Sequence, residues 1–235
     1  MSERRAVVLL SGGLDSTTCL AVACAEGFTC TALTFAYGQR HACELEAAAR
    51  VATAFGLADY RVVRLPIAET VHSALTGDGA VPKADRVEGI AGSIPSTYVP
   101  ARNTIFLAHA LALAEDIGAH HLFVGVNAVD YSGYPDCRPE FIEAFERLAN
   151  LATREAVQGH RFHVHAPLLH LDKGEIIRLG LSFGVDYGLT HSCYDPAPDG
   201  TACGHCDSCL LRRKGFAEAG AADPIAYVEN GEAHP

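Results

Sequence analysis

Short apolar runs alternate along this chain with longer stretches whose apolar positions recur at helical spacing. The runs at 6–10, 29–35, 60–65, 122–126 and 162–168 predict five strands. Between them, 17–26, 42–55 and 104–117 predict helices closed by Gly27, Gly56 and Gly118. Pro139 opens a further helix whose core face is predicted to be Phe141, Phe145, Leu148 and Ala152. Asp172 and Glu175 have capping-box spacing for the last helix of this series, which ends at Gly184. Strand and helix in strict alternation predict an α/β fold, a doubly wound, mainly parallel five-stranded sheet with right-handed crossovers. Residues 68–101 follow no period, broken by Gly77, Gly79, Gly89, Gly92, Pro82, Pro95 and Pro100, and read as a lid or insertion. The expected division is an α/β domain at 1–188 and a small cysteine-bearing module at 189–235.

Polar strings follow the strands, at the sheet edge where such folds bind ligands. The first, Ser11-Gly12-Gly13-Leu14-Asp15-Ser16-Thr17, lies between a strand and a helix. Unpaired N–H groups at a helix start carry the positive end of the dipole, and two glycines let a phosphate approach the backbone. Gly-Gly alone describes an ordinary turn; the full string resembles the PP-loop of the N-type ATP pyrophosphatases. Asp15 in such a cradle makes sense mainly as a ligand for Mg²⁺. Further strings are Tyr37-Gly38-Gln39-Arg40-His41, Val99-Pro100-Ala101-Arg102-Asn103 and the loop from Asn127 to Arg138. Arg102 stands at a helix start suited to an anion, although a solvated arginine is equally ordinary there. Lys173 serves its helix surface or an ATP contact.

Composition narrows the class. With 235 residues and 49% hydrophobic positions the chain can bury a real core, and its net charge of −10 favours a small-molecule substrate over tRNA. The apolar run behind the charged N-terminus is too short for a signal peptide, and no stretch has the length to span a membrane, so a cytoplasmic protein is expected. In that compartment nine cysteines are not a disulfide framework. Cys193, Cys203, Cys206 and Cys209, spaced C-x9-C-x2-C-x2-C, describe a closed structural Zn²⁺ site, with an iron–sulfur cluster as the main rival and His205 as a bystander. Cys19, Cys24, Cys30 and Cys43 read as core residues, whereas Cys137 in a polar loop keeps structural and nucleophilic readings open.

Taken together, the PP-loop at 11–17, YGQRH at 37–41, VPARN at 99–103, DYSGYPDCR at 130–138 and the four cysteines resemble the QueC family of 7-cyano-7-deazaguanine synthases, in register from about 5 to 216. The chain departs from that pattern at Leu14, where many members have Gln, at Ala101, where many have Gly, and at Asp130-Tyr131, where many have Asp-Phe. The resemblance implies a ligase that joins 7-carboxy-7-deazaguanine and ammonia with two ATP, releasing 7-cyano-7-deazaguanine, AMP and pyrophosphate. It implies a nucleotide-binding stretch of Leu10, Ser11, Gly12, Gly13, Leu14, Asp15, Ser16, Thr17, Thr18, Cys19 and Leu20. Asp15, Ser16, Arg102 and Lys173 are the expected catalytic groups. Tyr37, Gln39, Arg40, Asp130, Tyr131, Ser132, Gly133, Tyr134, Asp136 and Arg138 are the expected substrate contacts, with Asp130 or Asp136 accepting from the ring and Tyr131 or Tyr134 stacking on it. Family members are commonly homodimers. A PP-loop tRNA thiolase would need a basic face; a protein attaching the deazapurine to a macromolecule would want an added domain; a non-enzymatic zinc module would leave the PP-loop without a purpose.

Overall fold

A computed structural model describes residues 4–39, 43–77, 79–84, 94–127 and 133–228. Five parallel strands, β1 (Arg5–Leu9), β2 (Thr29–Ala36), β3 (Asp59–Arg64), β4 (His121–Phe123) and β5 (His163–His165), form one sheet in the order β3-β2-β1-β4-β5. The doubly wound expectation holds. The chain winds outward from β1 through α1 (Leu14–Ala25), β2, α2 (Cys43–Ala54) and β3, then returns through α3 (Arg102–Ile117) to place β4 on the other side of β1. That reversal creates a switch point between β1 and β4, the crevice where open α/β sheets take their ligands.

Strand alternation sorts the core onto two faces. Val8 and Phe123 pack with Leu20 of α1, Val51 of α2, and Ile176 and Phe216 of two later helices, α6 (Lys173–Ser182) and α7 (Asp207–Ala219). Val7 and Leu122 pack oppositely, against Leu107 of α3 and Phe145 of α4 (Pro139–Ala152). The short helix α5 (Arg154–Val157) leads into β5. The Asp172–Glu175 capping box is present at the start of α6.

Three readings of the sequence need correction. Helix α1 begins at Leu14, not residue 17, because Gly13 is already the extended N-cap and the second half of the polar string is the first helical turn. Strand β4 ends early: Gly125 packs so closely on the backbone of Asp15 and Ser16 that a Cβ there would lie 3.0 Å from the Asp15 carbonyl carbon. On α4, Leu148 is 51% exposed and Ala152 is exposed as well; the core stripe is Ile142, Phe145 and Ala149. The helix is rotated because Glu146 and Asn150 face inward, where Glu146 accepts the Val164 N–H at 2.8 Å and Asn150 bonds both backbone groups of Phe162, sealing the edge of β5.

Candidate active site and metal centre

At the switch point lies a cavity of about 210 Å³. Its floor is the loop after β1, Leu10 to Ser16, and its walls come from the ends of β2 and β4 and from the starts of α2 and α3. Gly12 adopts φ +80°, and a Cβ on it would collide with the Ala48 backbone, so the turn that exposes the loop requires glycine. The Ser16 hydroxyl donates to the Gly13 carbonyl (3.1 Å) and meets Ser11 Oγ at 3.0 Å, fixing both hydroxyls at the cavity floor. Thr17, Thr18, Cys19 and Leu20 do not line the cavity. Thr17 Oγ1 donates to Gly13, Thr18 Oγ1 pairs with the buried Tyr187 hydroxyl, and Cys19 and Leu20 are core.

Asp15 is held from one side. Its Oδ2 pairs with Lys173 Nζ, while Oδ1 is buried and makes no hydrogen bond. A carboxylate oxygen enclosed beside this turn, without a donor among the described residues, fits a divalent cation. Lys173 is not among the residues that line the cavity; its Nζ meets Asp15 Oδ2.

The opposite wall is built of side chains. Arg102 reaches in from the start of α3, donating to Tyr37 Oη at 3.4 Å with its guanidinium over the Tyr37 ring. Burial opposes its charge, but Tyr37, Tyr194 and Glu44 hold its pKa above the usual value. Burial pushes the Tyr37 phenol up. The Glu44 carboxyl is pushed up to about 7 by burial, which the Arg102 charge only partly offsets. Gln39 lines the cavity while its amide caps the end of β2, accepting from Tyr37 N and donating to Phe35 O. Tyr134 lines it too, its hydroxyl 2.9 Å from Thr97 Oγ1.

Other expected contacts lie elsewhere. The Asp136 carboxylate is buried and accepts the Asn103 N–H (2.9 Å), with Asn103 Nδ2 returning a bond to Asp136 O; it caps α3 and does not line the cavity. Arg138 is exposed on the far side of that turn, and Gly133 packs on Pro95. Arg40, Asp130, Tyr131 and Ser132 fall outside the described residues. Cys137 is buried at the cavity edge, and its Sγ accepts from Asn103 Nδ2 at 3.2 Å.

Sequence reasoning missed Glu44, His191, Ser192 and Tyr194, all of which line the cavity. For Glu44 the signal was its place directly behind the YGQRH string. The segment 190–194 closes over the phosphate loop: His191 N donates to Gly12 O at 2.9 Å and Leu14 N donates to Ser192 Oγ. Two residues after His191 comes Cys193. Its thiol, with those of Cys203, Cys206 and Cys209, forms a buried group in which all four sulfurs lie within 4.8 Å of one another. Backbone N–H groups of Tyr194, Asp195, Cys203 and Cys206 point at these sulfurs, as thiolate charge requires. The set is arranged to hold a metal ion. The same centre is tied to the long connection through Val81, the Lys83–Cys206 bridge and the Ala84 N–H to His205 O.

The described residues contain no helix long and apolar enough to cross a membrane. A family model described as queuosine biosynthesis protein QueC matches residues 5–220. The 7-cyano-7-deazaguanine synthase of Paramagnetospirillum magneticum is 64% identical over 95% of this chain and 98% of its own length. That of Geobacter sulfurreducens is 63% identical over 97% and 95%. Among solved structures, the NMN synthetase of Francisella tularensis shares the fold, with a TM-score of 0.50 and 15% identity over 94% of this chain and 78% of that one. The match across almost the whole chain, with the phosphate loop and the four cysteines in place, makes this protein a member of the QueC family.

Proposed function

We propose that this chain is an ATP-dependent carbon–nitrogen ligase that converts 7-carboxy-7-deazaguanine and ammonia to 7-cyano-7-deazaguanine, using two ATP and releasing AMP and pyrophosphate. The observation that carries the reading is the cavity that joins a phosphate-binding turn to a wall of aromatic and cationic side chains, in a chain of this family.

A carboxylate resists attack because its charge repels a nucleophile and oxide is a poor leaving group. Adenylation removes both obstacles. The α-phosphate of ATP sits over the Ser11–Ser16 turn, where backbone N–H groups and the two serine hydroxyls receive its oxygens. Arg102 orients the substrate carboxylate toward that phosphorus, and the planar base lies against Tyr134 and Tyr194, with Asp130 or Tyr131 completing its recognition. Asp15 would hold Mg²⁺, which would supply neutralising charge for the departing pyrophosphate. Ammonia then displaces AMP to give the amide; adenylation of the amide oxygen and loss of AMP leave the nitrile. Zn²⁺ is the metal the four cysteines hold, in residues 189–235, and its role is to fix the 190–194 segment over the phosphate loop. The protein works on small molecules in the cytoplasm, as a homodimer.

The test is to combine the protein with Mg-ATP, ammonium and the carboxylated base, following the base by mass spectrometry and the nucleotide by chromatography. Nitrile together with AMP, and no ADP, is the expected result. A base left unchanged while ATP is consumed refutes the assignment.

A further inference from the structure

Ammonia presents a problem that the phosphate loop does not solve. In neutral water it is almost entirely ammonium, which has no lone pair to offer; the reaction needs a site that attracts the cation and removes its proton beside the acyl carbon. Among the described residues two carboxylates line the cavity; Asp15 is committed to Lys173, and Arg102 and the backbone amides repel a cation. Glu44 remains. It stands in the first turn of α2, whose backbone packs directly on Gly12, so its side chain enters the cavity beside the phosphate loop. Its carboxylate makes no hydrogen bond among the described residues, although it lies in the field of Arg102. Phe106 and Tyr37 line the same wall, with the Arg102 guanidinium over the Tyr37 ring and Phe106 stacked on Phe35, so the surroundings of Glu44 are largely aromatic.

We propose that Glu44 is the ammonium site and the general base of the ligase, a role that rests on the reaction proposed above. With Arg102 engaged by the substrate carboxylate and its adenylate, Glu44 binds ammonium and takes one proton, giving ammonia and a neutral carboxyl. The ammonia lone pair forms the C–N bond, the C–O bond to AMP breaks, and AMP leaves with the electron pair. The nitrogen loses its second proton to water as the amide forms. A neutral carboxyl is a state this position tolerates, since burial there disfavours the charged form.

The experiment compares wild type with Glu44→Gln and Glu44→Asp, after matching their melting temperatures to establish folding. Ammonium is varied in one series and hydroxylamine, which is neutral at neutral pH, replaces it in another, with the hydroxamate as product. For Glu44→Gln, kcat/KM for ammonium falls about 100-fold, as loss of a general base predicts, whereas hydroxylamine turnover stays within about threefold. Glu44→Asp recovers part of the ammonium activity. Adenylation measured without a nucleophile, as pyrophosphate released in one turnover, stays intact. Equal losses with both nucleophiles, or loss at the adenylation step, overturn the assignment and make Glu44 a structural partner of Arg102. Wild type that forms adenylate but neither amide nor nitrile overturns the ligase reading itself, and the ammonium site with it.

Discussion

Two rims face each other across the cavity, and they are made of different material. Each ends in a helix start entered through a left-handed residue, Gly12 before α1 and Ala101 before α3. The α1 rim is built from backbone and short hydroxyls in one uninterrupted string, and its shape is set by where the chain turns. The α3 rim is assembled from side chains that arrive separately: Glu44 from α2, Arg102 from α3, Tyr134 before α4 and Tyr194 behind the first metal ligand. Phosphate needs donors in a fixed arc, which a turn supplies; a base and ammonium need particular functional groups, which only side chains supply.

The largest effect tests what joins the rims. Replacing Cys206, which is fully buried among the other three thiols, with Ser leaves the metal three good ligands and frees the 190–194 segment from both. The expected outcome is loss of the bound metal, read by elemental analysis, together with ATP binding weakened by more than about 10-fold in calorimetry. Asp15→Asn comes next. It keeps the shape of the loop but removes the charge that fits the cation, and kcat should fall about 100- to 1000-fold with folding preserved. Gly12→Ala instead damages the shape. Its Cβ would enter the Ala48 backbone at a positive φ, costing about 3 kcal/mol in denaturant unfolding.

The same contrast separates what is legible in the sequence from what is not. The parallel, doubly wound sheet follows from alternating blocks, and the phosphate loop and cysteine group are readable because each is contiguous or nearly so. Element ends are not. Helix α1 takes in half of the polar string, and β4 stops where α1 crosses its path, a steric event between segments more than a hundred residues apart. Leu148 reads as core because apolar spacing cannot reveal that Glu146 and Asn150 turn inward to satisfy the β5 edge. On the side-chain rim, Asp136 reads as a base-recognising carboxylate, yet Asn103 takes it as a cap. Glu44 reads as the polar face of an amphipathic helix. A residue's type is visible in each case; its partner, supplied by another part of the chain, is not.

Glu44 sharpens the comparison through pH. In the unfolded chain its carboxyl has the ordinary value near 4.5, and in the folded protein burial raises it to about 7, with Arg102 and Tyr37 the charged and titratable groups facing it among the described residues. The folded state therefore holds a proton that the unfolded state has released. Stability is favoured at low pH, declines between about 4.5 and 7, and is level above. Glu44→Gln removes this decline, so its melting temperature relative to wild type should climb as pH is raised from 5 to 7.5 and then stay constant. A flat difference would mean that the carboxyl titrates normally in the folded protein.

The smallest effect belongs to the other left-handed residue. Ala101 is the non-glycine residue with positive φ among those described, at +56°, where its Cβ crowds the following carbonyl at a cost of about 1–2 kcal/mol. It is exposed, so no packing repays that strain, and its N–H is already bonded to the Tyr98 hydroxyl at 3.2 Å. The Gly that many sequences of this pattern carry here follows from the geometry: the chain must reverse hand to start α3 with Arg102 aimed into the cavity. Ala101→Gly should relieve the strain while giving back part of the gain as freedom of the unfolded chain, a net stabilisation of about 0.5–1 kcal/mol. For a chain of this size that is a rise of roughly 1–4 °C in melting temperature, with kcat unchanged. The same replacement at Leu14, where the backbone is helical and the side chain buried, should destabilise instead. The difference in sign would show that the left-handed turn, and not a general tolerance of glycine at the helix starts of the two rims, is what Ala101 resists.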